Sequence, residues 1–160
     1  MITPISFEVT KVAVFAEIWN CRLTGEKSLH SAVAFKAGDV VCSFSAREQR
    51  AEPSYLTVQV DEQEHILLEP EFLQYINHSC DPNVFFDLHD RVVLCLKEIH
   101  RGEAITFFYP STEWSMEREF ECRCGTQQCL GRIRGARYIS KDVLKNYQLS
   151  KYVQNQLNSA

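Results

Sequence analysis

Four cysteines of this chain have types and spacing that could do chemistry. Cys122, Cys124 and Cys129 fall within the segment Glu121-Cys122-Arg123-Cys124-Gly125-Thr126-Gln127-Gln128-Cys129, a CxCx4C array. Zinc takes four donors in a tetrahedron, and thiolates at this density supply three of them. Gly125 permits the tight turn that three ligands on so short a loop demand. The spacing is tighter than a CxxC knuckle and has no local fourth ligand, so a metal site needs a distant residue, for which Cys80 is the candidate. The other readings are three unrelated thiols or a redox pair. A redox-active thiol protein would need a CxxC-plus-helix pattern, which is missing. Cys21, Cys42 and Cys95 lie in apolar surroundings and read as small buried hydrophobes.

The elements that must position these residues are mostly strands. Runs rich in Val, Ile, Phe and Thr recur between turn residues, at 7–15, 32–35, 40–44, 55–60, 65–68, 84–88, 92–99 and 104–109. Asp39 and Asp90 mark turns, as does Arg101-Gly102. One short helix is expected over 69–75, begun by Pro70 in its first turn. Only the C-terminus reads as strongly helical: Ser140 is a good N-cap, and Val143, Leu144 and Tyr147 share one face. A second helical piece is expected after Ser150, with Tyr152, Val153 and Leu157 apolar. The expectation is a mostly β fold of small sheets with a helical tail.

Bulk properties exclude several function classes. A chain of 160 residues is long enough to bury one real core. Its 45% hydrophobic and 24% charged residues are those of a globular protein rather than a disordered one. No apolar run approaches the roughly 20 residues of a membrane helix, and the start MITPISFEVTKV lacks a signal-peptide pattern. An intracellular protein is expected, cytoplasmic or nuclear depending on the organism. The net charge of −4 argues against direct nucleic-acid binding, which needs excess Lys and Arg. An acidic surface, with Asp61, Glu62, Glu64, Glu69 and Glu71 as one contributor, suits a basic protein partner better; those charges also fit a solvated edge.

Three segments together resemble the SET-domain family of protein-lysine methyltransferases. Tyr75-Ile76-Asn77-His78-Ser79-Cys80-Asp81-Pro82-Asn83 is similar to the family's (F/Y)INHSCxPN motif. Gly102-Glu103-Ala104-Ile105-Thr106-Phe107-Phe108-Tyr109 is similar to its GEELTFDY strand. The CxCx4C array followed by Gly131 and Ile133 looks like its post-SET motif, and Phe35-Lys36-Ala37-Gly38-Asp39-Val40 resembles its I-KAGE-VI turn.

The resemblance implies a SET-type fold of small curved sheets with a pseudoknot, in which residues 102–109 thread beside the Asn77-His78 segment. It divides the chain into a SET domain (1–119), a post-SET zinc-binding segment (120–136) and a C-terminal helical tail (137–160). It completes the structural zinc site as Cys80, Cys122, Cys124 and Cys129. It further implies S-adenosylmethionine as cofactor and a protein lysine as substrate. Tyr109 takes the place of the catalytic tyrosine and also borders the cofactor. Asn77, His78, Lys27 and Ile133 are the expected cofactor contacts, and Phe107, Trp114 and Tyr75 the expected walls of the lysine channel.

In-line methyl transfer needs alignment, worth roughly 7 to 11 kcal/mol in ideal intramolecular cases. It also needs a neutral amine, which dry aromatic walls beside a sulfonium favour. Two positions depart from the family's pattern. Glu26-Lys27-Ser28 stands where GxG should fall, and Phe108 replaces the aspartate of FDY. The alternative expectation is therefore a degenerate SET module that binds a protein or peptide without methylating it.

Overall fold

A computed structural model describes residues 4–159. Thirteen strands run in chain order among them: β1 (Phe7–Ala13), β2 (Ala16–Cys21), β3 (Lys27–Ser31), β4 (Val40–Ser43), β5 (Ser45–Arg50), β6 (Thr57–Gln59), β7 (His65–Glu69), β8 (Asn77–His78), β9 (Val84–Asp87), β10 (Val92–Cys95), β11 (Thr106–Phe107), β12 (Phe120–Glu121) and β13 (Arg132–Ile133). Two helices close the chain, α1 (Lys141–Leu144) and α2 (Lys151–Ser159). The strands form three three-stranded sheets, ordered β1-β2-β3, β4-β10-β9 and β5-β7-β6, and two short pairs, β11-β8 and β12-β13. Among the described residues no helix is long and apolar enough to cross a membrane.

Several strands differ from the sequence expectation for identifiable reasons. The run 7–15 is not one strand: the chain reverses at Val14 and Phe15, and Ala13 pairs with Ala16 as β2 returns antiparallel. β5 is Ser-Ala-Arg-Glu-Gln-Arg, largely exposed, and has no apolar run to announce it. Its strand conformation comes from backbone pairing with the apolar β7, a tertiary effect. The expected strand at 32–35 reduces to one bridge between Phe35 and Ile99. The expected helix at 69–75 is a single 3-10 turn, Glu71–Tyr75, with Pro70 just before it rather than inside it.

The main core lies between the three larger sheets and includes Leu29, Ile66, Leu73, Phe86, Val93 and Ile99, each at most 1% exposed. Burying side chains of this size stabilises by roughly 1.5–3 kcal/mol each. A second, smaller core holds Phe108, Ala136, Leu144 and Val153 and joins the tail to the rest. Ser140 caps α1 as expected, its Oγ accepting from the Val143 N–H at 3.3 Å. Ser150 likewise accepts from the Val153 N–H at 3.2 Å, at the start of α2.

The feature that builds the site is the parallel pair β8-β11. Thr106 lies opposite Asn77 and Phe107 opposite His78, although about 29 residues separate them in the chain. The buried Asn83 side chain locks this crossing. Its Nδ2 donates to the Ala104 carbonyl and its Oδ1 accepts from the Thr106 N–H, both at 2.8 Å. The Ser79 N–H adds a bond to the Phe107 carbonyl at 3.0 Å. Residues 102–109 and 75–83 are thus held side by side, as the resemblance implies.

Candidate functional site

Beyond β11 the chain enters a short 3-10 turn at Tyr109–Ser111, and this sets the Tyr109 ring at the meeting point of two cavities. The first is an apolar groove of about 230 Å³ whose walls include Leu56, Val58, Leu73, Ile76, Phe107 and Glu113. The second is a wider, more polar cavity of about 470 Å³ bordered by Glu26, Lys27, Asn77, His78, Arg123 and Cys124. Tyr55, Tyr109 and Phe120 line both, so these three rings form the partition between them.

Tyr109 is held from several sides. Its N–H donates to His78 Nδ1 at 3.1 Å and its hydroxyl donates to the Ile76 carbonyl at 3.3 Å. The Phe107 ring lies 4.6 Å away, and the His78 and Phe120 rings meet it edge-on at 5.3 and 5.9 Å. Burial, with help from the nearby Glu113 charge, pushes the phenol up to about 12, so its proton stays on at neutral pH.

His78 is neutral, because burial lowers its pKa to about 4. Its Nδ1 accepts from a backbone N–H, so the other nitrogen carries the proton. That Nε2 lies 3.3 Å from Cys80 Sγ and donates to it. The Asn77 Nδ2 donates to the Lys27 carbonyl at 3.1 Å and ties the β3 end to β8. The Lys27 ammonium in turn sits 5.3 Å above the Tyr75 ring.

The four cysteines converge. The Sγ atoms of Cys80, Cys122, Cys124 and Cys129 all lie within 4.8 Å of one another, and Cys80 and Cys122 are 3.8 Å apart. A zinc–sulfur bond of ~2.3 Å in a tetrahedron puts sulfurs ~3.8 Å apart, so the spacing fits. The chemistry of the donors agrees. Burial pushes the Cys80 thiol well above the ordinary range and Cys122 up to about 11. At Cys124 burial is outweighed by hydrogen bonds from Thr126 and the neighbouring cysteines, which bring it down to about 6. Four adjacent thiolates therefore need a cation among them. The His78 Nε2–H and the Leu130 N–H, at 3.4 Å, both point at Cys80 Sγ, as outer contacts to a metal ligand do.

Phe108, the residue in place of aspartate, is 1% exposed and lines neither cavity. It stacks flat on Tyr147 of the tail, with centroids 3.7 Å apart and planes 6° from parallel. The Tyr147 hydroxyl continues to the Cys80 carbonyl at 2.6 Å. The substitution is thus matched by the tail: an apolar ring at 108 has an aromatic partner that reaches the cysteine cluster.

A profile of the SET domain matches residues 26–110. A protein named methyltransferase flvH, from Aspergillus flavus, is 36% identical over 132 residues, which cover 81% of this chain and 74% of that protein. The chain belongs to the SET-domain family. Shorter stretches match much longer proteins. The H3 lysine-36-specific histone-lysine N-methyltransferase of Candida albicans is 36% identical over 63 residues, 36% of this chain but 7% of that protein. The solved structure of KRYPTONITE in complex with DNA, an H3 peptide and SAH superposes with a TM-score of 0.59 at 22% identity. That likeness covers 76% of this chain and 30% of the solved one, and it concerns the fold.

Within this SET domain, the residues expected from sequence divide by position. Tyr109, Asn77, His78 and Lys27 border the polar cavity, and Phe107 and Tyr109 the groove. Ile133 is fully buried behind the partition, paired across β12-β13 with Phe120. Trp114 packs into the second core, its backbone N–H donating to Gln59 Oε1 at 3.0 Å. Tyr75 packs on the main core beneath Lys27.

Sequence reasoning passed over Tyr55, Phe120 and Glu113. Phe120 had a usable signal, an aromatic two residues before the cysteine array. Tyr55 is 74% exposed at the groove rim and belongs to a loop with no motif. Glu113 is placed by a local turn together with tertiary contacts, and no motif marks it. The Ala136 N–H donates to its carbonyl at 2.9 Å. Gly135 makes that approach possible, since a Cβ there would meet the Trp114 carbonyl at 2.6 Å.

Proposed function

We propose that this chain is an S-adenosylmethionine-dependent protein-lysine N-methyltransferase. The observation that carries the reading is the pair of cavities meeting at Tyr109, one narrow and apolar, the other open and polar. The relatives named as methyltransferases, histone-lysine enzymes among them, support it at the level of the family.

S-adenosylmethionine, when bound, would supply a methyl group activated by the sulfonium. Asn77, His78, Lys27 and Tyr109 are the residues placed to hold it, around the polar cavity, with Ile133 supporting the wall from behind. The lysine side chain would enter the groove along Leu56 and Val58 with its amine towards Tyr109. The Tyr109 hydroxyl donates to the Ile76 carbonyl, which leaves its oxygen lone pairs free to accept from the amine and aim it. Phe107 and Phe120 exclude water and favour the neutral amine. Phe107 belongs to the lysine channel in this reading; Trp114 and Tyr75 act through the packing of its surroundings.

The zinc role is structural. Cys80 joins the SET segment to Cys122, Cys124 and Cys129, so zinc would fasten the 120–133 hairpin, and with it Phe120, against Tyr109. The boundaries that follow are a SET domain over 1–119, a post-SET segment over 120–136 and a helical tail over 137–160. The chain's negative charge favours a basic protein substrate, and histone-modifying relatives support an intracellular or nuclear setting.

One observation favours the second reading, a module that binds without methylating: Glu26-Lys27-Ser28 replaces GxG at the edge of the polar cavity. Calorimetry with S-adenosylmethionine and with its demethylated product separates the two. Saturable binding, weakened at least tenfold in Asn77→Ala, is expected of the enzyme. No heat with either ligand at high concentration selects the binding module.

A further inference from the structure

One carboxyl in the apolar groove has no role in the mechanism above. Glu113 follows Tyr109 by four residues and opens into the groove between apolar walls. Its backbone is fixed at both ends, the N–H donating to the Tyr109 carbonyl at 3.0 Å and the carbonyl accepting from Ala136. One carboxyl oxygen, Oε2, accepts from the Gln59 N–H at 3.0 Å and the Thr112 hydroxyl at 2.6 Å. The other oxygen has no hydrogen-bond donor among the described residues. Every ion pair of the described residues lies elsewhere, and although the exposed Arg118 and Glu117 also line the groove, no Lys, Arg or His pairs with this acid.

A half-buried carboxyl without a cation is costly among apolar walls, and perturbed acids of this kind cluster at ligand sites. The groove around it is narrow, apolar and open at the surface, the shape that takes an aliphatic stem. We infer that Glu113 is the charge-recognition point of the groove, accepting the primary ammonium of the incoming alkylamine and selecting it over neutral chains of the same length. This rests on the groove being the lysine site. Glu113 acts in specificity: it pairs with the arriving cation, while Tyr109 aims the amine afterwards. Burial raises the Glu113 carboxyl to about 7, as expected of an acid whose counter-ion arrives with the ligand.

The test uses the full zinc-loaded chain, labelled with 15N, and two small probes, n-pentylammonium chloride and 1-pentanol. The Gln59 amide, bonded to Glu113, is the reporter. The native chain should bind the ammonium at least tenfold more tightly than the alcohol, with the Gln59 resonance moving in the ammonium titration. Glu113→Gln keeps an oxygen for Gln59 and Thr112 but loses the charge, and should bring that preference to about one. Glu113→Asp keeps the charge one methylene back and should retain part of it. No preference in the native chain, or the same preference in Glu113→Gln, would overturn the inference. The readout needs no methyl transfer. Failure of S-adenosylmethionine to bind would sink the enzymatic reading and leave this titration intact.

Discussion

Removing one oxygen from Tyr147 tests whether the tail and the cysteine cluster are coupled as the structure shows. The Tyr147 hydroxyl donates to the Cys80 carbonyl at 2.6 Å, and no other donor among the described residues reaches that carbonyl. Burial raises the phenol to about 12, so it remains a donor throughout the pH range of a stability experiment. Tyr147→Phe keeps the ring and its stack on Phe108 but leaves a buried carbonyl unpaired, which costs about 1–3 kcal/mol. For a chain of this size each kcal/mol lowers Tm by roughly 2–4 °C. A fall of about 2–12 °C is therefore expected in thermal unfolding of the zinc-loaded protein, with faster zinc release to a chelator. Tyr147→Ala also loses the stack and should cost about 3–5 kcal/mol. A Tm within about 1 °C of native for Tyr147→Phe would refute the coupling.

Three further outcomes are expected. Metal analysis should find about one zinc per chain, and Cys124→Ser should lower both zinc content and stability; a folded, metal-free chain with four reactive thiols contradicts this. Glu113 makes stability depend on pH. Its folded pKa of about 7 lies above the ordinary 4.5, so its contribution is fully present below pH 4.5 and is lost as pH rises through 7. Ionising it in the fold costs about 3 kcal/mol, so Glu113→Gln should gain on the native chain in urea unfolding at pH 8 and not at pH 5. An equal difference at both pH values would refute the burial argument. Phe107→Tyr should shift products towards monomethyl-lysine by mass spectrometry, because the added hydroxyl occupies space beside Tyr109; an unchanged distribution removes Phe107 from the channel.

The residues that chain pattern could place are those whose spacing is itself chemical. The three clustered cysteines need one another within a few ångströms whatever the fold, and CxCx4C announces that directly. Their meeting with Cys80, 42 residues earlier than Cys122, depends on β8 lying beside β11, which hydrophobic periodicity does not encode; the missing fourth ligand made Cys80 a candidate, and the family resemblance completed the site. Tyr109, Asn77 and His78 were legible through that resemblance. Glu113 was not, because nothing distinguishes it from the exposed Glu117 or Glu119 until residues 134–137 pack behind it. β5 escaped notice because its polar sequence becomes a strand only against β7. Phe108 read as a departure from the family's pattern until Tyr147, 39 positions later, was found stacked on it.

The central claim is methyl transfer governed by Tyr109, and Tyr109→Phe tests it most directly. The measurement is transfer of labelled methyl from S-adenosylmethionine to lysine in a mixture of basic proteins, read by mass spectrometry beside zinc content and cofactor affinity. The account predicts that the native chain methylates, and that Tyr109→Phe keeps fold, zinc and cofactor binding while its rate falls by orders of magnitude, since the hydroxyl acts chiefly in the transition state. A variant as active as the native chain would contradict it.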